Sequence, residues 1–97
     1  MTITKKVEDN KTVWELSGWL DTKSAPEFQE VINSLDESTT DLTLDLEELA
    51  YISSAGLRLL VSLNKMMKGN LTLRNVTKDV MDILKITGFD GYLKVEA

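Results

Sequence analysis

Two adjacent hydroxyls, Ser53 and Ser54, are the residues of this chain best placed to take part in chemistry. They stand inside Leu42 to Leu63, LTLDLEELAYISSAGLRLLVSL, which reads as a buried strand, a short acidic connection, a turn of small residues and an amphipathic helix. That order puts the serines at the start of a helix. A helix start carries unpaired backbone N–H groups and a partial positive charge. A hydroxyl there is either a cap or a place to put a phosphate. Ser-Ser-x-Gly is a weak motif by itself, and capping is the commoner use. Two features favour a surface role. The connection from Glu47 to Ile52 is expected to displace the helix start from the strand end and expose it. Ala55 and Gly56 are expected to leave room for another protein's backbone to approach.

The other chemistry-bearing residues offer less. Asp21 and the Glu47-Glu48 pair could serve acid–base work or hold Mg²⁺, but no spacing resembles a hydrolase pair or a calcium loop, and a solvated acidic rim is the simpler reading. The glycines at 18, 56, 69, 88 and 91 form neither a dinucleotide fingerprint nor a phosphate loop. With no His and no Cys, the commonest general base, the commonest transition-metal ligand, a thiolate nucleophile and a Ser-His-Asp triad are all excluded. We therefore expect no catalytic residues, no metal and no cofactor. Trp14 and Trp19 read as core or partly buried residues, with Trp19 beside the serine loop.

The net charge of −5 and pI of about 4.6 work against binding a phosphate backbone. Lys5-Lys6 is the only adjacent basic pair, so no nucleic acid is expected as a partner. No apolar run approaches the roughly 20 residues that span a bilayer, and no signal core follows the N-terminal lysines. The expected location is cytoplasmic, without membrane insertion. At 97 residues the chain suits one domain, with no internal repeat or linker.

The elements that must position the serines alternate. Ile3 to Val7 and Thr12 to Leu16 read as a hairpin, with Asp9-Asn10 supplying the turn. Gly18 to Asp21 leads into a first helix, where Ser24 and Glu27 fit a capping box with Pro26 in the first turn. Phe28, Val31, Ile32 and Leu35 form its apolar stripe, and it should end near Asp36 to Ser38. Asp41 to Leu46 alternates as a strand with Leu42, Leu44 and Leu46 on one face. Thr43 and Asp45 then point outward or sit under a second helical layer. The second helix starts around Ser54, with Leu57, Leu60, Val61 and Asn64 as its inner stripe, widened by Leu59, Leu63, Met66 and Met67, and Gly69-Asn70 stops it. A strand at Leu71 to Leu73 follows. A third helix capped by Thr77 carries Val80, Ile83, Leu84 and Ile86 and closes at Gly88. A last short strand falls around Tyr92 to Val95. The order β-β-α-β-α-β-α-β predicts an α/β domain with a small, mixed, mainly parallel sheet and helices packed against it.

Three blocks, Gly18-Trp19-Leu20-Asp21, Asp45 through Leu57, and Leu84-Lys85-Ile86-Thr87-Gly88-Phe89, together resemble the STAS domain family, in particular the bacterial anti-sigma factor antagonists. The likeness covers nearly the whole chain, residues 1–97, as a single STAS domain. It implies a partner-switching protein, not an enzyme. Such antagonists bind an anti-sigma factor that is also a serine kinase, are released when it phosphorylates them, and are restored by a PP2C-type phosphatase. The family's loop is Asp-Ser-Ser/Thr-Gly, with the first Ser as acceptor. Aligned on Gly56, the acceptor falls on Ser54 and the next residue on Ala55, while the family's Asp falls on Ser53, a departure. Asp21 matches a partner-facing residue of the Gly-x-Leu-Asp loop. The resemblance thus implies phosphorylation at Ser54 and a partner surface of Asp21, Ser53, Ser54, Ala55, Gly56 and Leu57. It also leaves open a non-switching STAS subunit docking on an ATP-binding cassette lipid-transport complex, and an undetermined oligomeric state.

Overall fold

The computed structural model describes residues 1–97 as a five-stranded sheet carrying three α-helices. β1 (Thr2–Glu8) and β2 (Lys11–Leu20) form the expected hairpin, closed by Asp9 and Asn10, both at positive φ. Asp and Asn tolerate this conformation, and a turn with two positive φ angles matches the twist of the strands it joins. α1 (Ala25–Asn33), β3 (Leu42–Ile52), α2 (Ser54–Met66), β4 (Leu71–Arg74) and α3 (Lys78–Thr87) follow, with a 3-10 turn at Phe89–Gly91 and β5 (Lys94–Val95). The sheet order is β1-β2-β3-β4-β5, with β1 antiparallel to β2 and every other pair parallel.

This order decides where the helices go. Right-handed crossovers between successive neighbouring parallel strands put all three helices on one face. One contiguous core accordingly gathers Phe28 and Ile32 of α1, Leu57, Leu60 and Leu63 of α2, and Val80 and Leu84 of α3 onto Trp14, Leu16, Leu42, Leu44 and Leu46. Trp14 meets Phe28 edge to face, with ring centroids 6.4 Å apart. The opposite sheet face has no helical layer, so Thr43 and Asp45 point outward from the sheet.

Asp45 is nevertheless only 7% exposed. Its carboxylate accepts hydrogen bonds from the Glu47 N–H, the Arg74 Nε and the Asn75 Nδ2, each at 3.1 Å. Arg74 also forks onto both carboxylate oxygens of Glu8 at 3.1 Å, the planar bidentate geometry a guanidinium favours. β4 is thereby tied to the β1 end of the hairpin across the open face, where Val13 is 1% exposed.

Several details differ from the sequence reading. β3 continues through Ile52, so Glu47 to Ile52 is strand and not a connection. Register shifts against β2 between Glu15 and Ser17 and between Gly18 and Trp19 each give β3 an extra residue. These bulges break the period-two pattern that marks a strand. α1 ends at Asn33, short of Asp36. On α2 Leu57, Leu60 and Leu63 are buried as expected, while Val61 and Asn64, expected on the inner stripe, are only half-buried. Lys68 and Gly69, rather than Asn70, hold the left-handed turn after α2. Ile86 is 86% exposed and takes no part in the core. The cap by Thr77, whose hydroxyl accepts from the Val80 N–H, and the left-handed Gly88 at the end of α3 are as expected.

Candidate functional site

The parallel strands β2 and β3 end side by side, and the two loops that leave them form the site. The carboxyl ends of neighbouring parallel strands, where loops run on to helix starts, are the usual position for function in open α/β sheets. A backbone hydrogen bond joins the loops directly, from the Ser53 N–H to the Leu20 carbonyl at 2.8 Å. The serine turn and the Asp21 turn therefore share one support.

In the β2–α1 loop, Asp21 Oδ1 accepts from the N–H groups of Lys23 and Ser24, each at 3.0 Å. Ser24 Oγ donates to the Trp19 carbonyl at 2.7 Å and accepts from the Asp21 N–H at 2.9 Å. The expected capping box is absent: Ser24 makes no side-chain cap to α1 because its hydroxyl is already engaged by the loop behind it. The hydrogen bond from the Ser24 backbone, supported by the Ser24 hydroxyl and the Lys23 N–H, holds the Asp21 carboxyl below its ordinary pKa. Asp21 is thus ionised at neutral pH and fixed in direction, half-exposed at the rim.

In the β3–α2 loop, Ser53 is the N-cap of α2, with extended backbone and Oγ accepting from the Gly56 N–H at 3.3 Å. Ser54 is the first helical residue. Its side chain is exposed and bonded to nothing in the chain. Of the two uses a helix-start hydroxyl can have, Ser53 takes the cap and Ser54 is left free. Ala55 is half-buried.

Gly56 and Leu57 are both buried. The space at Gly56 is filled by the chain itself, because a Cβ there would stand 2.7 Å from Leu20 Cγ, 2.9 Å from Ile52 Cγ1 and 3.0 Å from the Leu20 carbonyl oxygen. Gly56 is required so that α2 can start hard against the ends of β2 and β3, and it leaves no room for a partner's backbone. The expected displacement of the helix from the strand end is corrected in the same way. Ser53 alone separates them, and Ser54 is exposed because it points away from that tight junction.

One feature of this edge escaped the sequence reading in part. Trp19 lies beside the serine loop, as expected, but at 58% exposed it is more open than the core or partly buried residue the sequence suggests. It is the register partner of Tyr51, itself 40% exposed, and their ring centroids are 5.3 Å apart. No set of His, Cys, Asp or Glu side chains gathers in a way that could hold a metal ion. No helix is long and apolar enough to cross a membrane.

The STAS domain family model matches residues 2–97. The anti-sigma-B factor antagonist of Bacillus subtilis is 30% identical over 95 residues, covering 95% of this chain and 87% of that protein. Among solved structures, an anti-sigma factor antagonist from Mycobacterium paratuberculosis shares the fold with a TM-score of 0.88 at 20% identity, covering 98% of this chain and 84% of that one. The anti-sigma factor antagonist SpoIIAA in its unphosphorylated form gives a TM-score of 0.79 at 16% identity, covering 99% and 89%. SpoIIAA in its phosphorylated form gives 0.72 at 17%, covering 99% and 92%. With its mixed five-stranded sheet, its one-sided helices and its serine turn at the head of the second helix, the chain belongs to the STAS domain family.

Proposed function

We propose that this protein is an anti-sigma factor antagonist, a cytoplasmic binding module without catalysis of its own, whose affinity for its partner is set by phosphorylation of Ser54. Unmodified, it binds an anti-sigma factor that doubles as a serine kinase, and the sigma factor is freed. Phosphorylated on Ser54, it is released, and a PP2C-type phosphatase returns it to the binding form. The contact surface is the rim made by Asp21, Ser53, Ser54 and Ala55, with the buried Gly56 and Leu57 fixing the turn that presents it.

The observation that carries this reading is the division of labour between Ser53 and Ser54. Ser53 occupies the cap where the family's loop has Asp, and Ser and Asp cap about equally well, so the departure keeps the turn's architecture. Ser54 holds a free hydroxyl at a position where charge suits the fold. A phosphate there adds about −1.5 to −2 charges at pH 7, and anions at a helix N-terminus are favoured by about 0.3–1 kcal/mol. In a tight interface the same group is desolvated at a cost of several kcal/mol, while about 2.7 kcal/mol already weakens binding a hundredfold. Blocking therefore needs no refolding. The relatives support the role: one is named for antagonising an anti-sigma-B factor, and SpoIIAA is known in phosphorylated and unphosphorylated forms.

Incubation with the anti-sigma factor kinase and ATP, read by mass spectrometry, tests the proposal. One phosphate is expected on Ser54, and the Ser54→Ala protein should bind yet stay unmodified. Phosphate on Ser53, or none, would contradict it.

A further inference from the structure

The exposed aromatic pair at the end of β2 and β3 has no role in the fold that accounts for it. Leu20 and Ile52, the residues that follow Trp19 and Tyr51, are sealed in the core on the helical face. Trp19 and Tyr51 therefore stand on the open face of the sheet. The second register shift, between Gly18 and Trp19 of β2, leaves Ala50 of β3 as the extra residue and brings the two rings level as strand partners; bulges of this kind re-aim side chains near functional sites. Trp and Tyr left in water at the rim of a binding loop are the residue types that most often anchor protein interfaces.

The same face supplies a charge pattern. A few residues back along β2 and β3 lies a hollow of about 370 Å³ lined by Glu15, Asp45, Glu47 and Glu48 with Thr4 and Ser17. Two of these carboxylates are already neutralised, Glu15 by Lys6 and Asp45 by Arg74, both at 3.1 Å. Glu47 and Glu48 are exposed and take part in no salt bridge. Glu48 is the register partner of Ser17, two positions before Trp19. Unpaired carboxylates and an electron-rich indole face, on one strand pair, suit a single kind of occupant. A guanidinium or ammonium group is attracted to the ring face, and its charge is balanced by the acids beside it.

We propose that Trp19, Tyr51, Glu47 and Glu48 form a second contact surface for the anti-sigma factor, continuous with the serine rim, which receives an arginine- or lysine-bearing segment of that partner. The inference rests on the functional reading above. The serine rim decides whether the partner stays; the sheet face supplies an aromatic anchor and an acidic flank that bring it in.

The test is calorimetric titration of the anti-sigma factor that phosphorylates Ser54 into five proteins: the unaltered chain, Trp19→Ala, Trp19→Phe, Glu47→Gln/Glu48→Gln and Ser54→Asp. Circular-dichroism melting serves as the check on folding. Trp19→Ala should lose at least tenfold in affinity while melting as the unaltered chain does. Trp19→Phe should recover part of the loss. The double Gln variant should flatten the dependence of affinity on salt, a readout that a merely structural role would not move. Unaltered affinity for Trp19→Ala, with Ser54→Asp still abolishing binding, would overturn the sheet-face surface and leave the switch intact. Binding unaffected by Ser54→Asp would instead overturn the switch, and a tenfold loss in Trp19→Ala would still uphold the sheet face. Absence of any binding by the unaltered chain would remove both.

Discussion

Two serines at two helix starts, on the same edge of the same sheet, have opposite fates. Ser24, before α1, is 8% exposed, and its hydroxyl is held between the Trp19 carbonyl and the Asp21 N–H. Ser54, at the head of α2, is exposed and bonded to nothing. Ser24 stands at the N-cap position of α1 and Ser54 one residue further in, as the first residue of α2, but position alone does not decide the outcome, since Ser24 sits where a cap is expected and makes none. What separates them is how many local partners compete for the oxygen. Asp21 folds back over the β2–α1 loop and engages Ser24 from behind, whereas Ser53 supplies the cap on the β3–α2 loop and spares its neighbour. One hydroxyl becomes structure, and the other is left as a place where charge can be added.

Placing the same charge at both positions breaks or confirms this contrast most sharply. Ser24→Asp puts a carboxylate against the Trp19 carbonyl and the Asp21 carboxylate, and should cost about 3 kcal/mol, as burying an unpaired charge does. Ser54→Asp should change stability by less than about 1 kcal/mol. About 1 kcal/mol shifts the melting temperature of a domain this size by roughly 4–8 °C, so thermal melts resolve the two outcomes. Gly56→Ala tests the tight junction beneath Ser54. Its Cβ meets Leu20 and Ile52 at under 3 Å, and we expect a loss of about 1–3 kcal/mol from overpacking, read by the same melts.

Alanine replacements are gentler. Ser24→Ala leaves the Asp21 N–H and the Trp19 carbonyl without their hydroxyl and should cost about 1–2 kcal/mol in urea unfolding. Ser53→Ala removes a cap whose bond is long, 3.3 Å, and should cost about 0.5–1 kcal/mol. A loss at Ser53 larger than at Ser24 would reverse the comparison.

Acid gives the smallest effect. The Asp21 carboxyl sits below its ordinary value of 3.8 through the Ser24 hydrogen bond. Its contribution to stability is therefore complete above pH 3.8 and lost as the pH falls below that value toward the lowered native one. Glu8 is lowered in the same direction, chiefly by the hydrogen bonds from Arg74. In Asp45 burial pushes the carboxyl upward, and the bonds from Glu47, Arg74 and Asn75 outweigh it to leave it lowered. Below pH 4 the amide resonances of Lys23 and Ser24 should shift with Asp21 protonation, while those of Ser53 and Gly56 stay in place, since that cap uses no titrating group.

The order of elements was legible because the signals were local. Asp9-Asn10 marked a turn, Thr77 and Gly88 bracketed a helix, and Leu42, Leu44 and Leu46 alternated cleanly. The position of Ser54 at a helix start followed from the same kind of signal. The rest depended on contacts remote in sequence. Glu47-Glu48 and Ala50-Tyr51 each put two exposed residues in a row, so the bulged half of β3 read as a connection. The Ser24 capping box matched its motif, yet nothing local said that Asp21 would claim the hydroxyl first. Asp45 is buried because of Arg74 and Asn75, 29 and 30 residues away. Trp19 is exposed because it stands on the sheet face that no helix covers, which no propensity of Trp reports.

The most direct test is to make the chain with phosphoserine at position 54 and measure, against the unmodified chain, both its affinity for the anti-sigma factor and its melting temperature. The account predicts at least a hundredfold weaker binding, about 2.7 kcal/mol, with the melting temperature moved by no more than the 4–8 °C that about 1 kcal/mol produces. Equal affinity, or a phosphorylated chain that no longer folds, would contradict it.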